Sequence, residues 1–162
     1  MVMDNLMAEF SIANVINEQL ICLEMKAKTK EEAIIELSKR LKENNLIEDV
    51  EAFSKDVFQR EKEGMTGIGY GVAIPHGKST SVKHTSLAVG KVQTPIQWES
   101  LDEQPVQIII LFAVKDTDAN TVHIKLLQKV AMLLAEEIFI EKLNQATSKT
   151  ELMELLAKEP TE

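Results

Sequence analysis

A histidine between a proline and a glycine closes the stretch Gly67-Ile68-Gly69-Tyr70-Gly71-Val72-Ala73-Ile74-Pro75-His76-Gly77. Pro75 biases Ile74 toward extended backbone and has no N–H for a ladder, so a strand is expected to end here and present His76 at its edge. Gly77 is expected to leave room beside the ring for another macromolecule. A neutral imidazole, with a reference pKa of about 6.5, offers a nitrogen lone pair at physiological pH and can accept a phosphoryl group. The phosphoramidate is reactive enough to pass that group onward, and such transfer depends on positioning and charge stabilisation more than on a protein base. The competing reading is a tight turn whose histidine is incidental.

Other side chains could serve the same chemistry. Arg60 falls on one helical face with Phe53 and Val57, and its guanidinium fork suits phosphate oxygens. It could equally be an ion-pair partner of Glu63 or Asp56. With Asn120 as N-cap, His123 would sit in a first helical turn, where free N–H groups favour an anion; the alternative is a half-buried, satisfied histidine. Thr66 could donate a hydroxyl hydrogen bond or simply support its loop. His84, between Lys83 and Thr85, reads as solvated. His76 and His123 could also be two ligands of a catalytic metal, but no third ligand stands at metal-site spacing.

The elements that must position these groups are legible in the periodicity. A short strand is expected near Leu20 to Met25. Thr29 and Glu32 have capping-box spacing ahead of Ile34, Leu37 and Leu41, which predicts a helix ending near Asn44-Asn45. Asp49 can cap a second helix. Five of the six glycines fall between Gly64 and Gly77, marking a shaped loop that leads into a strand. Ser86 to Val92 reads as a strand, and the apolar run Val106 to Val114 as a central strand covered on both faces. After a polar loop over Asp116 to Thr121, Leu127, Val130 and Leu134 mark the inner face of a third long helix. Helical stretches around Ile138 to Gln145 and Thr150 to Ala157 follow. The order predicts one α/β domain over residues 11–158, with a mixed sheet of about five strands flanked by helices on both faces. Residues 1–10 are expected to form a tail or loosely docked segment.

Composition excludes several classes. A net charge of -8 argues against a protein that binds nucleic acid through Lys and Arg on phosphates. No apolar run of about 18 residues is available to span a bilayer, so no direct membrane insertion and a cytoplasmic location are expected. Cys22 is the single cysteine. It can form no intramolecular disulfide and reads as core packing.

Glu61, followed after six positions by Ile68-Gly69 and then by Val72-Ala73-Ile74-Pro75-His76-Gly77, resembles the signature of fructose- and mannitol-type enzyme IIA domains of the bacterial phosphotransferase system. Arg60-Glu61 before the loop, Thr66 within it, and His123-Ile124-Lys125-Leu126-Leu127 reinforce the resemblance, which runs from about Ser11 to Lys158. The resemblance implies that phosphorylated HPr donates a phosphoryl group to His76, which hands it to a cysteine of enzyme IIB, with membrane-embedded enzyme IIC completing sugar uptake. It further implies that His123 stabilises or orients that group, that Arg60 contacts it, and that Glu61, Thr66, Gly69, Pro75 and Gly77 support the site. No metal or diffusible cofactor is implied. A regulatory protein resembling the nitrogen-related enzyme IIA proteins would share the site and signal through its phosphorylation state. One departure stands out: Leu101-Asp102-Glu103-Gln104-Pro105 occupies a turn where relatives often carry Asp-Gly.

Overall fold

Side chains at the chain's turning points set the first two helices. The computed structural model describes residues 12, 15–118 and 122–157, leaving aside the side chains of 118 and 122–124. The expected tail over residues 1–10 and the N-cap at Asn120 therefore lie outside the described residues. Thr29 Oγ1 accepts the N–H of Glu32 at 3.1 Å and starts helix α1, Lys30–Glu43. The helix closes in a Schellman arrangement, with Asn45 N–H donating to Lys42 O and Leu46 N–H to Leu41 O while Asn45 takes φ 60°. Asp49 Oδ1 accepts the N–H of Ala52 at 3.2 Å and opens helix α2, Val50–Glu63.

The strands are β1 Ile21–Met25, β2 Gly67–Gly69, β3 Val72–Ala73, β4 His76–Ser79, β5 Ser86–Ile96 and β6 Val106–Lys115. They form one sheet in the order β1-β5-β6-β3-β2, with β4 also paired to β6. The sheet is mixed, as expected: β5 and β6 are antiparallel, whereas β1 runs parallel to β5, and β3 and β4 run parallel to β6. Residues 108–114 of β6 are all buried, which requires cover on both faces. Gly90 faces helix α1, where an added Cβ would meet Leu37, so the next residue, Lys91, points to the opposite face. There its Nζ donates to the carbonyls of Leu143, Asn144 and Ala146, at the C-terminal end of the helix Glu137–Gln145. Helices α3 Val122–Leu134, α4 Glu137–Gln145 and α5 Lys149–Ala157 complete the described chain. The inner face of α3 is carried by Leu126, Val130, Leu133 and Leu134, while Leu127 is only partly buried.

Two expectations about the motif are corrected. Val72 and Ala73 pair with Ile108 and Ile109, and His76 and Gly77 pair with Phe112 and Ala113, in one unbroken register. Strand β3 thus ends at Ala73, just before the proline, as expected, but the chain resumes in the same register as β4, so His76 opens a new strand instead of standing at the end of one. Proline removes one donor, but its carbonyl still accepts the N–H of Phe112 at 3.0 Å. The space beside Gly77 is not left for a partner either. A Cβ there would lie 2.7 Å from Val57 Cγ2 and 3.4 Å from Phe53, so the glycine admits helix α2 to the sheet.

In the turn that departs from the Asp-Gly pattern, Glu103 takes φ 59°, the left-handed conformation that a glycine would adopt without strain. Asp102 fixes it by accepting the N–H groups of Gln104 and Tyr70, both at 3.0 Å. Cys22 is half-buried at the margin of the core, with Sγ 3.9 Å from Glu36 Oε2.

Candidate functional site

Both ring nitrogens of His76 have assigned partners, and the two contacts agree on one protonation state. Nδ1 lies 3.1 Å from the carbonyl of Ile74, which can only accept, so Nδ1 carries the proton. Nε2 receives the Nε–H of Arg60 at 3.1 Å, and a guanidinium can only donate, so Nε2 offers its lone pair. The ring meets Phe112 edge to face, at 6.5 Å between centroids. The imidazole's pKa is lowered chiefly by burial, which the Ile74 carbonyl opposes; the Arg60 charge lowers it further and Glu63 raises it. The result is a neutral imidazole with a nucleophilic Nε2.

The sequence reading expects an accessible ring, but His76 is only 9% exposed. Arg60 lies against its reactive nitrogen and also reaches the Gly64 carbonyl at 3.3 Å. Helical spacing places this guanidinium correctly: Phe53 and Val57 are buried on the same face and Arg60 is half-buried beyond them. No carboxylate lies within ion-pair distance of Arg60 among the described residues, so the alternative pairing with Glu63 or Asp56 is not formed.

Behind this pair runs a chain of polar contacts. Thr66 Oγ1 donates to Glu61 Oε2 at 2.7 Å and accepts the indole N–H of Trp98 at 2.9 Å, while the Thr66 carbonyl accepts the N–H of Ile74 at 2.9 Å. Glu61 pairs with Lys30 at 3.3 Å, and Lys30 pairs with Glu99 at 2.9 Å while lying 5.8 Å from the centre of the Trp98 ring. Burial disfavours the Lys30 charge; the Glu99 hydrogen bond and the charges of Glu61 and Glu99 outweigh it and raise the ammonium's pKa. Lys30 and Trp98 are absent from the sequence-based list, and no local signal marks them. Gly69, with φ 101°, donates its N–H to Ser100 Oγ and shapes the turn at some distance from the ring.

His123 is the second residue of α3, which follows the C-terminal end of β6; its side chain lies outside the described residues. His84 is exposed and away from these contacts. A groove of roughly 970 Å³, lined by Lys30, Met65, Trp98 and Leu101 among others, borders the polar chain and not the His76 ring. Among the described residues no group of three or more His, Cys, Asp and Glu side chains could hold a metal ion, and no helix is long and apolar enough to cross a membrane.

Residues 14–159 match the family described as phosphoenolpyruvate-dependent sugar phosphotransferase system, EIIA 2. The chain is 32% identical over 154 residues to the 2-O-alpha-mannosyl-D-glycerate-specific EIIABC component of Escherichia coli strain K12, covering 94% of this chain and 23% of that protein. It thus spans about a quarter of that relative's length. The nitrogen regulatory protein IIA-Ntr from Neisseria meningitidis superposes with a TM-score of 0.81 at 29% identity, covering 90% of this chain and 98% of that one. Enzyme IIA mannitol of Escherichia coli, solved in complex with phosphorylated enzyme IIB mannitol, superposes with a TM-score of 0.74 at 27% identity, covering 88% and 96% of the two chains.

Proposed function

The chain belongs to the phosphoenolpyruvate-dependent sugar phosphotransferase system EIIA 2 family, and on that premise we propose that it is a cytoplasmic phosphocarrier whose His76 Nε2 takes up and releases the phosphoryl group. The observation that carries this reading is the pair of contacts on His76, which leave Nε2 as the one nitrogen with a lone pair. In the forward step that lone pair attacks the phosphorus of phosphohistidine on HPr. The Nε2–P bond forms as the donor's N–P bond breaks, and the donor nitrogen keeps the electron pair. Nδ1 holds its proton against the Ile74 carbonyl throughout. In the onward step a cysteine thiolate of enzyme IIB attacks phosphorus, and the electron pair of the broken N–P bond returns to Nε2.

Arg60 has two positions to serve in this cycle. Against the unmodified ring it covers Nε2, and on arrival of the phosphoryl group it turns to the phosphate oxygens, where charge-assisted hydrogen bonds are stronger than neutral ones. His123, at the start of α3, is assigned the role of stabilising or orienting the bound group. Sugar uptake through enzymes IIB and IIC, of the fructose or mannitol class, completes the transport reading. The complex formed by the mannitol relative supports IIB as acceptor.

A second reading is a regulator of the nitrogen-related type, supported by the likeness to the Neisseria protein, 29% identical with a TM-score of 0.81. Incubation with phosphorylated HPr is expected to leave an acid-labile adduct that His76→Ala abolishes and His84→Ala retains. Loss in both variants or in neither contradicts the assignment of His76. Passage of the label to a cysteine of purified enzyme IIB favours transport; stable retention with altered binding to another protein favours regulation.

A further inference from the structure

The two contacts that define the His76 ring arise from different elements. Ile74 lies in the two-residue link between β3 and β4 that leads into His76, and Arg60 lies in the last turn of α2. The bond from Thr66 Oγ1 to Glu61 Oε2, at 2.7 Å, helps tie those elements together behind the ring. Glu61 is the residue next to Arg60, so anchoring its carboxylate fixes the helical turn from which the guanidinium projects. Thr66 is anchored by its carbonyl to Ile74 N–H at 2.9 Å, two residues before the histidine.

The direction of the Thr66 hydroxyl is not free to vary. The indole N–H of Trp98 can only donate and the Glu61 carboxylate can only accept, so the hydroxyl proton must point to Glu61. Thr66 and Trp98 are 3% and 5% exposed, and the Glu61 side chain 6%, so water does not readily substitute for a lost partner. Lys30 balances the Glu61 charge at 3.3 Å, which permits a carboxylate to be held there at all.

We infer that Glu61, Thr66, Trp98 and Lys30 act as positioning residues for phosphoryl transfer, holding the Ile74 carbonyl and the Arg60 guanidinium in the relation that selects the Nδ1–H tautomer of His76. The inference deepens the phosphocarrier reading and rests on it for its kinetic consequence. Its structural consequence concerns the unmodified protein alone. The hydroxyl of Thr66 is the sensitive point, because Thr66→Val keeps the shape and removes both the donor to Glu61 and the acceptor of Trp98.

The test compares wild type, Thr66→Val, Thr66→Ser and Trp98→Phe by long-range nitrogen–proton NMR of the imidazole at neutral pH, together with single-turnover phosphoryl uptake over a range of phosphorylated HPr concentrations, whose saturating rate constant and half-saturation concentration stand for kcat and KM. Wild type is expected to show one tautomer, with protonated Nδ1 and unprotonated Nε2. Thr66→Val is expected to show a mixture of tautomers and a roughly tenfold lower kcat with KM for phosphorylated HPr within about twofold, and Thr66→Ser to restore both readouts. A folded Thr66→Val protein with the wild-type tautomer and rate overturns the inference. If Thr66→Val does not fold, Trp98→Phe decides: it removes the indole donor while keeping an aromatic ring, and an unchanged tautomer and kcat there overturns the inference equally. Failure of wild type to take up phosphoryl groups would instead count against the phosphocarrier reading, leaving the tautomer comparison to judge the positioning role.

Discussion

Two lysines on opposite sides of the sheet show how the site side of the molecule differs from the rest. Lys30 lies beside the carboxylates of Glu61 and Glu99, and Lys91 lies against three backbone carbonyls at the end of α4. Burial works against the charge in both. On Lys30 the two carboxylates outweigh it and the pKa rises; on Lys91 burial prevails over the charge of Glu151 and the pKa falls. The first ammonium stabilises a buried carboxylate that leads through Thr66 to His76, whereas the second caps a helix end and leads nowhere further. The same residue type thus serves the site on one face and local structure on the other.

Removing each cation should separate these roles most widely. Lys30→Met leaves Glu61 buried without its counter-charge and should cost about 3 kcal/mol, the low end for a broken buried pair because Lys30 remains 15% exposed. Phosphoryl uptake should fall about tenfold in the same variant. Lys91→Met should cost about 1 to 2 kcal/mol for the uncapped carbonyls and leave uptake within about twofold. Urea denaturation and initial rates check both, and equal rate losses would erase the distinction.

Removing the Glu61 charge together with Lys30 sharpens the comparison. Lys30→Met with Glu61→Gln should recover about 1 to 2 kcal/mol relative to Lys30→Met alone, since no uncompensated carboxylate remains. Denaturant midpoints read this directly. A smaller effect is expected on the site side but outside the polar chain: Glu103→Gly should stabilise the protein by about 1 kcal/mol by relieving a φ of 59°. Melting curves should show it, with phosphoryl uptake unchanged.

The pH dependence of stability should be smaller still, with opposite signs for the two lysines. The contribution of Lys30 is complete below its ordinary pKa of 10.5 and is lost as pH rises through its higher folded value. For Lys91 the folded protein gives up its proton before the unfolded chain does, so its contribution to stability increases with pH up to 10.5. His76 adds an acid limb: its lowered pKa means that the unfolded chain binds a proton first, so stability falls as pH drops below about 6.5. Denaturation of His76→Gln across that range should lack this limb.

Local signals account for much of what could be read in advance. Thr29 and Asp49 announce their helices because a cap and the N–H it receives lie three residues apart. The apolar run of β6 shows itself by the absence of alternation, and Arg60 falls into place through its helical spacing from Val57. Trp98 escapes notice because it meets Thr66 across 32 residues, and Lys30 because Glu61 and Glu99 reach it from other elements. The reading of Gly77 fails for a related reason. A missing side chain shows that something approaches closely, but only the docking of α2 shows that Val57 and Phe53 do so and not a partner.

The central claim is that Nε2 of His76 is the nitrogen that bears the phosphoryl group. Phosphorus–nitrogen couplings measured on nitrogen-15-labelled protein after reaction with phosphorylated HPr locate the new bond. The account predicts phosphorus on Nε2 of His76, with Nδ1 still protonated. Phosphorus on Nδ1, on another residue, or no uptake at all would contradict it.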